Sequence, residues 1–431
     1  MTVPAAPATR PSSDIEHTLF PAAQHGAGPR IDIGRQPLPA DAIRPNASLG
    51  VLDITKWFGE TSGGVRTYLL QKARYVEARP ALRQTLVIPG PRDAITQGTG
   101  VRCYRLQGPR IPTQRPYRFM LATRSIRRII HHERPNIIEV GSCFLVPWIT
   151  ARAARRSDVP LVFFYHSNFP RTVSAFPDRD GGVRRRGHEL AWRYIRKLDT
   201  LFQLTICASQ FAADDLRRHG IERVERVPLG VDLHHFTPQR RADALATRER
   251  LGLPTDAPIA AFIGRFAREK EVDLLVRAWP EIERRTDAWL LLVGDGPQRE
   301  NLRALAGSSR RICWMPYQHD RGQLADILAA IDLFVAPCSI ETFGLSALEA
   351  LSSGTPVLSA DRGGVAEQVQ RSGGGATFAA GDSASLADVA THLLGGDLRV
   401  LGHQGRAYAE REHDWATVFD RIFDIYRRVL G

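Results

Sequence analysis

The sequence predicts an α/β protein made of two doubly wound domains, each a parallel sheet wrapped by helices. Three observations lead there. Short β-branched and aliphatic runs alternate with amphipathic helical stretches for nearly the whole length, as parallel strands joined by crossover helices require. The alternation pauses at a polar, charged stretch, residues 233–250, and then restarts. At 431 residues the chain is also long enough for two domains that each bury a core.

Residues 1–46 are rich in Pro, Ala and Ser and are expected to form a disordered tail. They hold no charged region followed by an apolar core, so they do not read as a secretory signal. The first domain is expected over 47–235, with strands at 49–54, 85–88, 136–140, 161–165, 204–208 and 224–228. Helical patterns fall between them at 64–78, 117–132 and 184–198. A linker at 236–250 precedes a second domain over 251–412, with strands at 259–263, 289–293, 312–315, 333–336 and 356–359. The last helix, 415–430, could belong to either half, so 413–431 stands apart, with packing back on the first domain as one arrangement. In open parallel sheets ligands sit beyond the carboxyl ends of the strands, and two such domains facing each other would form one deep cleft.

Composition narrows the function. A hydrophobic content of 43% is that of a soluble globular protein. No apolar run reaches the roughly 18 residues of a membrane span. Five cysteines, Cys103, Cys143, Cys207, Cys313 and Cys338, are scattered without CxxC spacing, which reads as buried thiols in a reducing cytoplasm and argues against zinc. The net charge is +12, with 54 arginines against 4 lysines. Between residues 101 and 134 nine arginines face one acid, Glu133, and residues 171–197 carry eight basic side chains against Asp178, Asp180 and Glu189. An anionic partner is therefore expected at the first half.

The chemistry-bearing segments lie at strand ends. After the strand at 333–336 comes PCSIETFGLSALEALSSG, in which Glu341 leaves the strand and a helix begins near Phe343. Gly344 permits close approach, and the unpaired first-turn N–H groups with the helix dipole suit a phosphate or sugar oxygen. Glu349 lies about two turns on. Were both glutamates helical they would stand roughly 12 Å apart, too far to share a metal ion but suited to hydroxyls at two ends of a long ligand. Two ordinary surface glutamates would read the same way in isolation. Beyond the strand at 259–263, Gly264, Arg265 and Lys270 supply two cations that suit a diphosphate. The turn Val293-Gly294-Asp295-Gly296-Pro297 lacks the third glycine of the dinucleotide fingerprint, which disfavours a nicotinamide cofactor.

Residues 258–369 resemble the donor domain of retaining GT-B glycosyltransferases of family 4 (group 1), marked by Glu-x7-Glu. The matching pieces are FIGRFAREK, LLLVGDGP, ETFGLSALEALSSGTPVL and the GGVAE at 363–367. The resemblance implies that Arg265 and Lys270 hold the donor diphosphate, that Glu341 faces the transferred sugar and Glu349 the ribose. It also implies that Gly264, Phe343, Gly344 and Leu345 contact the donor. Glu271 departs from the pattern, where glycine often follows the lysine. In the first half, Gly63-Gly64 ahead of a helix resembles the family's early glycine loop, a further donor contact. His166, in FFYHSNFP, matches the histidine beside the reacting sugar. The segment from Ser209 to Gly230, Val231 and Asp232 is similar to the family's approach to the linker.

The resemblance implies a front-face retaining transfer of a hexose from a UDP-sugar or GDP-mannose to a hydroxyl of a lipid-linked or glycan acceptor. No cofactor is expected beyond the nucleotide-sugar co-substrate, and no metal. Asp178-Arg179-Asp180 matches the DxD of metal-dependent transferases, but in a polar loop of the acceptor half. The stretch 117–132 sets Phe119, Met120, Ile126, Ile129 and Ile130 among arginines, which suits either packing on the sheet or peripheral contact with anionic lipid. A cytoplasmic protein, peripheral on the inner face of the membrane, is the corresponding location, and FYHSNFPRTV is similar to lipid-glycosylating members. The alternatives are a basic nucleic-acid-binding protein, against which stands the lack of any recognition motif, and a GT-B phosphorylase or sugar-nucleotide epimerase. Base selectivity is expected near 315–317 and sugar choice around 339–341.

Overall fold

The computed structural model describes Leu19 and residues 31–59, 63–111, 117–174 and 182–431. Its strands, in chain order, are β1 (Leu49–Ile54), β2 (Leu82–Gly90), β3 (Ala94–Gly98), β4 (Val101–Gln107), β5 (Ile137–Val140), β6 (Leu161–Tyr165), β7 (Leu204–Cys207) and β8 (Val224–Arg226). They continue with β9 (Ile259–Ile263), β10 (Trp289–Val293), β11 (Ile312–Met315), β12 (Leu333–Ala336), β13 (Val357–Ala360) and β14 (Gly375–Phe378). Each strand expected from the sequence is present, six of the eleven with the expected bounds, four with ends shifted by a residue or two, and β2 with three residues more at its start and two at its end.

Compactness divides the chain differently from the sequence. The first unit holds the described residues up to Phe164, with Thr200–Leu204 and Ile425–Gly431, and the second holds Tyr165–Asp199 and Thr205–Asp424. In the first unit the strands run in the order β3-β4-β2-β1-β5-β6. The pairs β2–β4, β1–β2, β1–β5 and β5–β6 are parallel, while β3 pairs antiparallel with β4. Asp53 on β1 and Glu139 on β5 are register partners in its middle, which places two carboxylates side by side in a dry interior. Lys72 answers them from the helix Gly64–Glu77, with Nζ 2.6 Å from Asp53 and 3.4 Å from Glu139. Tyr68, one turn earlier on the same face, donates to Glu139 at 3.0 Å. Tyr426, near the end of the last helix, donates to Glu139 and accepts from Lys72 at 2.7 Å.

The second unit contains β7 paired in parallel with β8, and a six-stranded parallel sheet of order β11-β10-β9-β12-β13-β14. Its core packs Trp279, Leu275 and Ile282 of the helix Val272–Arg285 against Phe262, Leu290, Leu292 and Val335. From β9 the chain winds one way to β10 and β11, then returns to the other side for β12, β13 and β14. The switch therefore lies between β9 and β12, where ligands of such sheets are bound.

Four expectations are corrected. The tail does not extend to Asn46, because Ile33 and Ile43 are buried and the Arg44 guanidinium donates to four carbonyls, those of Val76, Glu77, Arg79 and Leu82. The stretch expected to be a linker is folded, as a short 3-10 helix at Pro238–Asp243 and an α-helix at Ala244–Arg250. There Arg248, 8% exposed, reaches Asp332 at 2.8 Å and the Ala330 carbonyl at 2.7 Å, so charges that looked solvated are tied down. The helix expected from 117 starts at Thr123, since Arg118 bridges antiparallel to Arg110 and the Phe119 N–H donates to Pro109. Finally β3, β4 and β14 are strands in addition to those the sequence predicts. The cysteines carry no disulfide, and four are buried while Cys313 is half-buried. Among the described residues no helix is long and apolar enough to cross a membrane.

Candidate functional site

The two strands flanking the switch deliver Lys270 and Glu341. Past β9 the Gly264 N–H donates to Val293 at 3.0 Å and the Phe266 N–H to Asp295 at 2.9 Å, so this loop lies backbone to backbone on the loop after β10. Glycine makes that contact feasible: a Cβ on Gly294 would stand 1.9 Å from the Gly264 oxygen, and one on Gly296 2.3 Å from that of Phe266. The GDG turn thus supports the Arg265 loop. Arg265 is half-buried, and among the described residues none pairs with its guanidinium. Lys270 closes a 3-10 turn, Arg268–Lys270, and its ammonium forms an ion pair with the Glu341 carboxylate. Desolvation lowers the Lys270 pKa, but Glu341 beside it outweighs that and the net shift is upward.

Glu341 is not helical. It lies in a turn, and the helix begins at Leu345 with Gly344 as its N-cap at φ 86°. A Cβ there would meet Val365 Cγ2 at 2.2 Å, and one on Gly364 would meet the Thr342 oxygen at 2.5 Å. The glycines of 363–364 therefore let this segment lie against 341–343, and the Gly364 N–H donates to the Glu341 carbonyl at 2.7 Å. Among the described residues, none accepts from the N–H of Phe343 or Gly344. Leu345 opens the helix beside them. The Thr342 hydroxyl donates to the His166 carbonyl at 2.8 Å, which brings His166, just past β6, to this loop through its backbone.

Glu349 sits in the second turn of the helix Leu345–Ser352, 3% exposed. Burial raises its pKa, and Arg321 offsets part of the rise. Arg321 opens the helix Arg321–Ala330, donates to Glu349 at 2.8 Å and lies 4.7 Å from the centre of the Phe236 ring. The sequence offered no sign of Arg321, one arginine among 54. In the sequence Glu271 stands out only as a departure from glycine. It occupies the left-handed region at φ 52° and ψ 30°, a conformation costing a non-glycine residue roughly 1 kcal/mol. Its carboxylate accepts from the Ser339 N–H at 2.9 Å and hydroxyl at 3.0 Å. Burial raises its pKa, and the Ser339 bonds offset only part of that.

His166, Gly264, Arg265, Lys270, Glu341, Phe343, Gly344, Leu345 and Glu349 all belong to the second unit, whereas Gly63 and Gly64 belong to the first. Gly63 caps the helix Gly64–Glu77, and a Cβ at either glycine would meet nothing within 4 Å. Internal packing does not demand glycine there. The Asp178–Asp180 pair lies outside the described residues. A cavity of about 510 Å³ lined by Arg241, Arg248, Asp332 and Arg399 includes none of these groups.

Two family profiles match the chain: "Glycosyltransferase Family 4" over residues 62–235 and "Glycosyl transferases group 1" over 243–406. A GDP-mannose-dependent alpha-mannosyltransferase of Mycolicibacterium smegmatis is 31% identical over 69% of this chain and 74% of its own. A GDP-mannose-dependent alpha-(1-6)-phosphatidylinositol dimannoside mannosyltransferase of Mycobacterium tuberculosis is 30% identical over 72% of this chain and 78% of its own. The chain belongs to the family 4, group 1 glycosyltransferases. Its fold is GT-B: a sucrose-phosphate synthase from Thermosynechococcus elongatus superposes with a TM-score of 0.72 at 22% identity, covering 88% of this chain and 99% of that one. WaaG, a glycosyltransferase involved in lipopolysaccharide biosynthesis, gives 0.65 at 16% identity, covering 88% and 99%. In this glycosyltransferase the group 1 profile spans Arg265, Lys270, Arg321, Glu341 and Glu349, and the family 4 profile spans Gly63, Gly64 and His166.

Proposed function

We propose that this glycosyltransferase moves a hexose, with retention and without a metal, from a nucleoside-diphosphate sugar to a hydroxyl of a lipid-linked or glycan acceptor. GDP-mannose is the first donor to test, in view of the names of the relatives. The observation that carries the reading is the Lys270–Glu341 pair at the switch between β9 and β12, with Arg265 on the same loop as the lysine. Arg265, Lys270 and the Phe343 and Gly344 amides are suited to the diphosphate, Glu341 to the sugar hydroxyls and Glu349 to the ribose. Gly63 and Gly64 keep the donor contact that the resemblance implies.

The acceptor oxygen forms its bond to the anomeric carbon on the face from which the diphosphate leaves. The C–O bond to phosphate breaks, and the acceptor's proton passes to the departing phosphate. The protein's contribution is electrostatic: two cations and the end of a helix stabilise charge growing on the leaving group. His166 is held through its carbonyl and takes no proton. Incubation with GDP-mannose, UDP-glucose or ADP-glucose, with product stereochemistry read by NMR, tests this. Release of an α-linked product in excess chelator is expected. Inversion, or complete loss of activity in chelator, overturns the respective claim.

For the acceptor side, Ile126, Ile129 and Ile130 are buried, so the apolar residues of that helix face inward. Leu121, 52% exposed, remains beside exposed Arg124 and Arg127, and this favours contact with an anionic membrane from the cytoplasmic side. Salt-reversible sedimentation with phosphatidylglycerol vesicles is expected, and no binding at low salt removes the membrane reading.

A further inference from the structure

The loops that carry Lys270 and Glu341 are joined at three successive positions. The Cys338 thiol donates to the Glu269 carbonyl at 2.8 Å, Lys270 pairs with Glu341, and the Glu271 carboxylate accepts from both the N–H and the hydroxyl of Ser339. On the loop after β9 the outer two contacts flank Lys270, and on the loop after β12 both anchor the residues just before Glu341. Glu271 stands where backbone geometry favours glycine, at φ 52°, and it also caps the helix Val272–Arg285 without using its side chain as a cap. Local structure therefore gives no reason for a glutamate at this position. The reason lies 68 residues along the chain, where one carboxylate engages two donors of the same serine.

We infer that Glu271 is a positioning residue: by clamping Ser339 it fixes the turn of residues 339–341 and holds the Glu341 carboxylate opposite Lys270. Its consequence for turnover rests on the donor reading above. Glu271 touches neither cation nor Glu341 through any of these bonds, so it acts through the loop. Its loss should leave the diphosphate contacts of Arg265 and Lys270 in place and misplace the group that meets the transferred sugar. Binding of sugar-nucleotide and binding of bare nucleotide should therefore respond differently.

The test uses the full chain, its Glu271→Gly, Glu271→Gln and Ser339→Ala variants, and two kinds of measurement. Amide hydrogen exchange over residues 338–341 needs no ligand. Glu271→Gly is expected to exchange at least tenfold faster there, Ser339→Ala and Glu271→Gln less so, with exchange in β10 and β13 unchanged. Kinetics with GDP-mannose and calorimetry with GDP then separate function from fold. In Glu271→Gly, kcat/KM should fall at least tenfold while the GDP Kd stays within twofold, and Glu271→Gln should be intermediate. Because glycine relieves the left-handed backbone, the melting temperature should not drop enough to explain the loss. Unchanged exchange overturns the clamp. Faster exchange with wild-type kcat/KM, or with an equal loss of GDP affinity, overturns the positioning role. If the wild type binds neither nucleotide nor sugar-nucleotide, the donor reading fails, and the exchange result still decides the clamp.

Discussion

Lys270 and Glu341 form an ion pair from loops that leave the adjacent parallel strands β9 and β12, at the point where the strand order of the second sheet reverses. The lysine is one of 4 in the chain, and the carboxylate is the first of the pair spaced by seven residues.

Replacing Lys270 by Ala removes the point charge assigned to the leaving diphosphate. Turnover should fall about 100-fold or more, the scale for losing one preorganised electrostatic contact. The pair is partly exposed, so folding should change little. Steady-state kinetics with thermal unfolding reads both, and near-normal kcat would sink the leaving-group assignment.

Arg321→Ala leaves the Glu349 carboxylate buried without its cation. Urea unfolding should show a loss of about 2 kcal/mol. Adding Glu349→Gln should recover part of it, because no buried charge is then left over. A double variant that loses the sum of the two single effects would mean that the pair is not coupled.

In the first unit, burial raises the Glu139 carboxyl from 4.5 to about 7, with Lys72 pulling it down and Asp53 pushing it up. A folded-state pKa above the unfolded one means that the folded protein holds the extra proton between those values. Its contribution is fully present below 4.5 and is lost as pH rises through about 7. The groups facing it are Asp53, Lys72, Tyr68 and Tyr426. Unfolding free energy should decline across that window, and Glu139→Gln should flatten the slope. A wild-type profile that rises over the same range would contradict the assignment.

Two glycines that look alike in sequence should behave oppositely. Gly344→Ala puts a Cβ at φ 86° and 2.2 Å from Val365, and should cost roughly 2–3 kcal/mol. Gly64→Ala enters open space in the first turn of a helix and should leave stability equal or up to about 1 kcal/mol higher. If Gly64 serves the donor, activity should nonetheless fall. Unaltered kinetics in Gly64→Ala would remove that role.

Much of this was legible in the chain itself. Buried aliphatic runs such as those of β1, β9 and β10 announce strands because both faces of a parallel sheet are dry. The loop residues Arg265, Lys270 and Glu341 were legible because each follows such a run. β4 was not, since VRCYRLQ carries two arginines, and Arg102 is buried because Glu133 meets it at 2.6 Å and Gln97 and the Asp41 carbonyl take its remaining N–H groups. β14 was hidden by the glycines before it, and the Ala244–Arg250 helix by charges that Asp326 and Asp332 neutralise.

By itself, the sequence determined the alternation of strands and helices, the restart that makes a second sheet, and the residue types at each strand end, because these follow from local periods and short motifs. Only the tertiary structure decided which charges meet. Glu271 with Ser339, Arg321 with Glu349, and Lys72 with Asp53, Glu139 and Tyr426 join segments from 19 to 354 residues apart. No local period encodes such a partner. What selects it is the desolvation cost of a buried charge, which is met only where the folded chain brings an opposite charge or a donor within reach.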